Sequence, residues 1–254
     1  MLKVKSVLVS QPKPESEKSP YFDLSDDCKV KIDFRPFIHL EGVQGKDFRK
    51  QRINFLEFSA VIFTSRNAID YYFKTAEEAR VTIPDDMKYF CISESTAFYL
   101  QKYIVYRKRK IFYGQQTFAD LVKTLKKHSK DNNFLLPCSD ILRQTIPDQL
   151  KANGINYSCV NLYKTVCSDL SDLSDVNYDV LVFFSPSGIK SLYQNFPNFK
   201  QNDTRIAVFG PTTAKAAEEA GLKIDIAAPK PESPSMTKAL EIYIKKANKN
   251  AKKK

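Results

Sequence analysis

Asp179-Val180-Leu181-Val182-Phe183-Phe184-Ser185-Pro186-Ser187-Gly188-Ile189, followed by Thr204-Arg205-Ile206-Ala207-Val208-Phe209-Gly210-Pro211-Thr212-Thr213-Ala214, is the stretch whose reading decides the fold. Each half is an uninterrupted apolar run, then a short turn of hydroxyls, Pro and Gly, then the start of an amphipathic pattern. Apolar runs without alternation suit strands buried on both faces, which is the habit of parallel sheets. Two strand-to-helix turns side by side on such a sheet put helix N-termini, backbone N–H groups and hydroxyls along one edge, and that edge holds anions. The same Ser and Thr residues also stand where N-caps belong, so part of their work is to satisfy their own helices.

The stretch has an echo. Ala60-Val61-Ile62-Phe63-Thr64-Ser65-Arg66-Asn67-Ala68-Ile69 matches it position by position at an offset of 120, with Phe63 on Phe183, Ser65 on Ser185 and Ile69 on Ile189. Met87-Lys88-Tyr89-Phe90-Cys91-Ile92-Ser93-Glu94-Ser95-Thr96-Ala97 parallels the run that ends in Thr212-Thr213-Ala214. The helical pattern around 121–125 parallels that at 235–245, and Phe134-Leu135-Leu136-Pro137, with a helix over 142–153 and a strand over 157–166, repeats the opening strand at 6–10. A duplication of this length means two similar domains. At 254 residues the chain suits two units of about 110 to 130 residues each.

Two long segments, 28–40 and 157–166, occupy equivalent places in the two halves. Each reads as a strand that runs on out of its sheet, and the pair forms a thin link between domains. The expected partition is residues 1–35 plus 167–254 for one domain, 41–161 for the other, and a connector near 34–40 and 160–166. The fold class is therefore α/β, two similar parallel-sheet domains joined by a two-stranded β connector, with the site expected in the cleft between them.

Composition narrows the chemistry. Five cysteines without a CxxC spacing and only two histidines, His39 and His128, argue against a zinc site or a Cys/His pair. No apolar run approaches the roughly 20 residues of a membrane span, and the first residues read as a strand, so a cytoplasmic protein without a membrane is expected. The net charge of +11 points to a polyanion. Six of those charges lie in the tail from Lys245 to Lys254, which lacks apolar periodicity and reads as a frayed, solvated end. The dispersed remainder suits a small polycarboxylate better than nucleic acid, since no basic and aromatic residues interleave on one element.

The chain resembles the uroporphyrinogen-III synthases. The resemblance rests on Phe63-Thr64-Ser65-Arg66-Asn67-Ala68, on Phe183-Phe184-Ser185-Pro186-Ser187-Gly188, on Gly210-Pro211-Thr212-Thr213-Ala214 with Gly221-Leu222, and on Leu142-Arg143 through Gly154 to Tyr163-Lys164-Thr165. It implies a cofactor-free, cytoplasmic, monomeric lyase of tetrapyrrole biosynthesis. Such an enzyme cyclises hydroxymethylbilane, a linear tetrapyrrole with eight carboxylates, to uroporphyrinogen III with inversion of ring D and loss of water. Tyr163 matches the family's strand tyrosine, and its phenol would assist the departing hydroxyl. Thr212, Thr213, Ser185, Ser187 and Gly188 would meet carboxylates, Gly188 by letting backbone approach closely. Thr64 and Ser65 would do so on the other domain, with Arg143 and Arg205 as ion-pair partners. Where the family commonly has Thr-Arg-Pro, this chain has Ser10-Gln11-Pro12; where it has Gly before the first Thr-Ala helix, Ser93 stands here. A non-catalytic anion-binding clamp on the same fold, or a nucleic-acid or phosphoprotein partner drawn by the basic tail, is the rival reading.

Overall fold

A computed structural model describes residues 2–115, 117–173 and 177–251. In chain order the elements are β1 (Ser6–Val9), α1 (Pro20–Cys28), β2 (Lys31–Phe34), β3 (Ile38–Gly42), α2 (Gly45–Lys50), β4 (Ala60–Phe63), α3 (Arg66–Glu78), β5 (Lys88–Cys91), α4 (Glu94–Tyr99), β6 (Ile111–Tyr113) and α5 (Phe118–His128). There follow β7 (Phe134–Ser139), α6 (Thr145–Ala152), β8 (Tyr157–Cys167), β9 (Val180–Phe183), α7 (Pro186–Asn195), β10 (Arg205–Phe209), α8 (Pro211–Glu219), β11 (Ile224–Ala228) and α9 (Met236–Ala251). Two compact units result. One is Met1–His39 with Val166–Lys254 and the other is Leu40–Thr165, so the chain leaves the first within β3 and returns within β8.

The first unit is a five-stranded sheet in the order β11-β10-β9-β1-β2, parallel throughout. Val7, Val9, Val180, Val182 and Ala207 face α1 and α9, meeting Leu24, Leu240 and Ile244, while Leu8, Leu181, Phe183, Ile206 and Val208 face α7 and α8, meeting Ile189, Leu192 and Ala217. Both faces are dry, which is why the strands read as continuous apolar runs.

The second unit's sheet has the order β3-β8-β7-β4-β5-β6, with the β8 to β6 neighbours parallel. Val61, Phe63, Tyr89 and Leu135 pack under α3 and α4; Ala60, Ile62, Phe90, Phe134 and Leu136 pack under α5 and α6. Read through the sequence repeat, β8-β7-β4-β5-β6 and β2-β1-β9-β10-β11 are one spatial order. The units differ by a circular permutation: the pair β1 and β2 opens its unit, and the pair β7 and β8 closes the other.

Several local expectations are corrected. The segment 28–40 is two strands, because Pro36 has no N–H for a ladder and follows Arg35, whose N–H closes the β1–β2 pairing on Val9 O at 3.0 Å. Helix α2 stops at Lys50, and a separate 3₁₀ turn, Phe55–Glu57, carries the next apolar residues. The tail is not simply solvated: α9 continues to Ala251, Ala247 is fully buried, and Asn248 ties down the amino-terminal strand. Val4 N–H donates to Asn248 Oδ1 at 2.8 Å and Asn248 Nδ2–H donates to Val4 O at 3.1 Å. The last three lysines of the tail lie outside the described residues. Strands β6 and β11, short and half-buried, had no separate reading in the sequence.

Candidate active site

In open parallel sheets ligands gather at the carboxyl ends of strands, at the point where successive connections diverge to opposite faces. In the first unit that point lies between β1 and β9, where Ser10 and the Ser185 turn leave the sheet. Ser185 is the N-cap of α7, and its Oγ accepts the Gly188 N–H at 3.2 Å. That amide is also within reach of Ser185 O, so the Gly188 N–H is taken up within its own turn. Its contribution is space. A Cβ there would stand 3.3 Å from Phe183 Cδ1, which is tight, and 3.8 Å from both Ser10 Oγ and Ser185 Oγ, which is ordinary contact beside two neighbouring hydroxyls. Ser10 is buried there and Ser187 half-buried beside it.

The neighbouring turn is built differently. Gly210, at φ 84° and ψ 153°, is the N-cap of α8 and has no side chain with which to cap. Pro211 sets the first turn, Thr212 is exposed, and Thr213 is 1% exposed. Thr213 Oγ1 is fully buried and has no hydrogen-bond partner among the described residues. Of the four helices that open at these turns, α3, α4 and α7 are capped by Ser65, Ser93 and Ser185, and α8 alone is uncapped. An uncapped helix start with a buried, unpaired hydroxyl is a donor set short of an acceptor, since burying such a group costs about 1 to 3 kcal/mol.

The second unit diverges between β4 and β7. Ser65 Oγ accepts the Ala68 N–H at 3.1 Å and lies 3.5 Å from the phenol oxygen of Tyr163, with Thr64 half-buried just ahead. A register shift brings Tyr163 there: Cys138 pairs with Asn161 but Ser139 pairs with Tyr163, so Leu162 is the extra residue of a bulge. Simple alternation would send Tyr163 to the face of Asn161. The bulge returns it to the cluster of Val160 and Leu162, aimed at the edge. Burial, with smaller contributions from Cys138, Tyr71 and Asp140, raises the Tyr163 phenol above its ordinary range against the opposing Ser65 hydrogen bond, which keeps it protonated and a donor.

Arg143 is exposed in the loop that leaves the same end of β7. Arg66, at the start of α3, lays its guanidinium 5.3 Å from the Tyr99 ring centroid. A single arginine carries no spacing pattern that would mark it as a site residue in the sequence. Below it Asp70 accepts from Tyr99 at 2.9 Å, from Lys102 at 3.0 Å and from Tyr103. Burial would raise the Asp70 pKa, yet these three donors outweigh it and hold the carboxyl below its usual range.

Arg205 is where the expectation fails. It stands at the amino end of β10, away from the turns, with its side chain 8% exposed. Its Nη2 donates to Leu2 O at 2.5 Å and its Nη1 lies 3.8 Å from Asp179, whose Oδ2 also takes the Lys5 and Ser6 N–H groups at 2.7 and 3.0 Å. It is a latch for the amino terminus. Arg205→Met is therefore expected to cost about 1 to 3 kcal/mol in a denaturation series with KM unchanged; a raised KM at unchanged stability would restore the substrate role.

A family model described as "Uroporphyrinogen-III synthase HemD" matches residues 30–238. The chain belongs to the uroporphyrinogen-III synthase family. A uroporphyrinogen-III synthase of Chlorobaculum parvum is 25% identical over 258 residues, 95% of this chain and 100% of that one. One from Saccharomyces cerevisiae is 30% identical over 140 residues, about half of each chain. Among solved structures, uroporphyrinogen-III synthetase from Helicobacter pylori superposes with a TM-score of 0.61 at 17% identity, over 95% of this chain and 99% of that one. A mutant uroporphyrinogen III synthase from Thermus thermophilus gives 0.55 at 13% identity, over 97% and 99%. These likenesses bear on the fold. Within the uroporphyrinogen-III synthase family pattern, the Gln11 departure lies on an exposed side chain next to the buried Ser10, and the Ser93 departure supplies a cap, accepting the Thr96 N–H at 3.3 Å.

Proposed function

We propose that this enzyme closes hydroxymethylbilane to uroporphyrinogen III, with the α8 turn seating carboxylate arms and Tyr163 assisting the leaving group. The observation that carries the reading is the uncapped start of α8 with the buried Thr213 hydroxyl unpaired. Thr212 and Thr213 supply N–H and O–H donors to a propionate or acetate, the helix start adds about 0.3 to 1 kcal/mol or more as water is excluded, and Ser185, Ser187 and Ser10 extend the donor row. Thr64, Ser65, Arg66 and Arg143 do the same beside Tyr163 on the second unit. In the reaction the hydroxymethyl group on ring A loses its oxygen as hydroxide, and its carbon stays on the ring as the electrophile. The Tyr163 O–H donates to that oxygen as its carbon bond breaks, ring D attacks to give a spiro intermediate, and reopening and closure expel water overall. Fixing the reacting ends of a flexible octa-acid supplies most of the acceleration.

The product isomer tests this directly. Purified enzyme with hydroxymethylbilane is expected to yield the type III isomer over the type I macrocycle that forms spontaneously; type I alone would leave the non-catalytic clamp as the better reading. Thr213→Val gives the matching test of the site. Removing an unpaired buried hydroxyl is expected to leave stability unchanged or raise it by about 1 kcal/mol, while KM rises about tenfold for a lost charge-assisted hydrogen bond. Unchanged KM would remove Thr213 from the site. Among the described residues no helix is long and apolar enough to cross a membrane. The five free cysteines, Cys159 among them exposed, suit a reducing compartment, and we place the enzyme in the cytoplasm, which fractionation would check.

A further inference from the structure

A phenol that donates to a leaving group acts only if its ring is held in place. Ser65 is too distant for a firm anchor at 3.5 Å, and β8 is irregular at the bulge. The closest ring partner is Tyr71, on the second turn of α3, whose ring lies parallel to that of Tyr163 with centroids 4.9 Å apart and planes 16° from each other. Tyr71 is fixed in turn at its far end, where its O–H donates to Leu40 O at 3.0 Å. The third member is Gly42 on β3: a Cβ there would stand 3.3 Å from Tyr71 Cε1 and 3.5 Å from Cδ1. The backbone at Gly42 is not in the left-handed region, so what a side chain there would change is the room left to the Tyr71 ring, which would have to shift by a few tenths of an ångström. All of these residues lie within the second unit.

We propose that Tyr71 is a positioning residue for Tyr163, a flat wall that fixes the plane of the acting phenol and is itself held by Leu40 O and by the absence of a side chain at Gly42. This rests on the assignment of Tyr163 above. An offset stack restrains ring tilt and rotation, which a single long hydrogen bond does not. A tyrosine on α3, one helix turn beyond the Ser65 cap region, also couples the ring to the same helix that carries its hydrogen-bond partner. Misplacing a reacting group by about 1 Å costs on the order of a hundredfold in rate, so loss of the wall shows in kcat more than in KM.

The experiment uses the full chain labelled with 3-fluorotyrosine, the Tyr163 resonance being the one that disappears in Tyr163→Phe. Tyr71→Leu is expected to shift and broaden that resonance and to lower kcat about tenfold or more with little change in KM. Tyr71→Phe, which keeps the stack and loses the Leu40 anchor, is expected to retain most of the rate. In the Tyr163→Phe background Tyr71→Leu should add no further loss. Gly42→Ala perturbs the same stack from its other side, and it is expected to move the Tyr163 resonance in the same direction even where Tyr71→Leu folds poorly. An unmoved Tyr163 resonance in Gly42→Ala and Tyr71→Leu, or a Tyr71→Leu loss of equal size with and without the Tyr163 phenol, overturns the proposal. Full-rate Tyr163→Phe would instead overturn the assignment of Tyr163, a separate outcome that the resonance does not depend on.

Discussion

Tyr163→Phe is expected to lower kcat for ring closure by about a hundredfold or more, the low end of what a positioned proton donor supplies, while the melting temperature stays within about 1 to 2 °C of the parent. The two halves of that expectation come from different contacts. The ring keeps its stack on Tyr71 and its place in the buried cluster under α3, so packing is unchanged. Among the described residues the hydrogen bond lost is the 3.5 Å contact to Ser65, whose Oγ keeps its cap on the Ala68 N–H. What disappears is the donor. Burial raises the phenol above its ordinary value near 10, so the wild-type donor is fully protonated through neutrality and its rate dependence falls only as pH rises through that elevated value. The variant should therefore run at a low rate with no alkaline limb of its own from this group. Ser65→Ala separates structure from chemistry: it removes an N-cap worth about 1 kcal/mol and should lower stability with a smaller loss of rate than Tyr163→Phe. A Tyr163→Phe enzyme that turns over at the parental rate would end the assignment.

What the residues disclosed in advance, and what they hid, follows from how local each determinant is. The apolar runs at 180–184 and 60–63 and the capping serines Ser65, Ser93 and Ser185 are written in neighbouring positions, and they stand in the structure as strands and N-caps. The repeat at an offset of 120 carried further: it fixes one spatial strand order for both sheets, which no single segment specifies. The bulge after Cys138 is a matter of register between strands, and alternation within β8 alone points Tyr163 to the wrong face. Arg205 carries the pattern of a free surface cation. Only the return of the amino terminus across β10, through Leu2 and Asp179, makes it a buried latch. Gly210 shows the reverse case, because the sequence places hydroxyls where caps belong, and only the geometry shows that Thr213 caps nothing and has its Oγ1 unpaired.

The end of the chain misled for the same reason, and it yields the largest expected stability effect. Lysines at 245, 246 and 249 mask a helix face whose apolar members are few: Ile244 and Ala247 are fully buried, and Asn248 exchanges two hydrogen bonds with Val4. Val4 is itself buried against α9 at the entry to β1, one of the two strands between which the first sheet's connections diverge. Removing residues 245–254 deletes both Asn248 bonds, leaves the Val4 N–H and C=O without them, and exposes the patch that Ala247 covers. At about 1 kcal/mol for each bond and a similar amount for the apolar surface returned to water, the truncation is expected to cost about 2 to 4 kcal/mol. The loss should reach the site, since Ser10 follows β1 directly. Replacing Lys245, Lys246 and Lys249 with Gln keeps the helix and removes the charge, and the measured stability should fall far less, although the Lys245 to Glu241 pair at 2.5 Å is lost, because exposed ion pairs contribute little. Denaturant titrations of the two variants separate the readings: an unfolding midpoint that the truncation leaves in place would mean a solvated tail after all, and a collapse in the Gln variant would mean that charge, and not the buried face of α9, holds this end of the sheet.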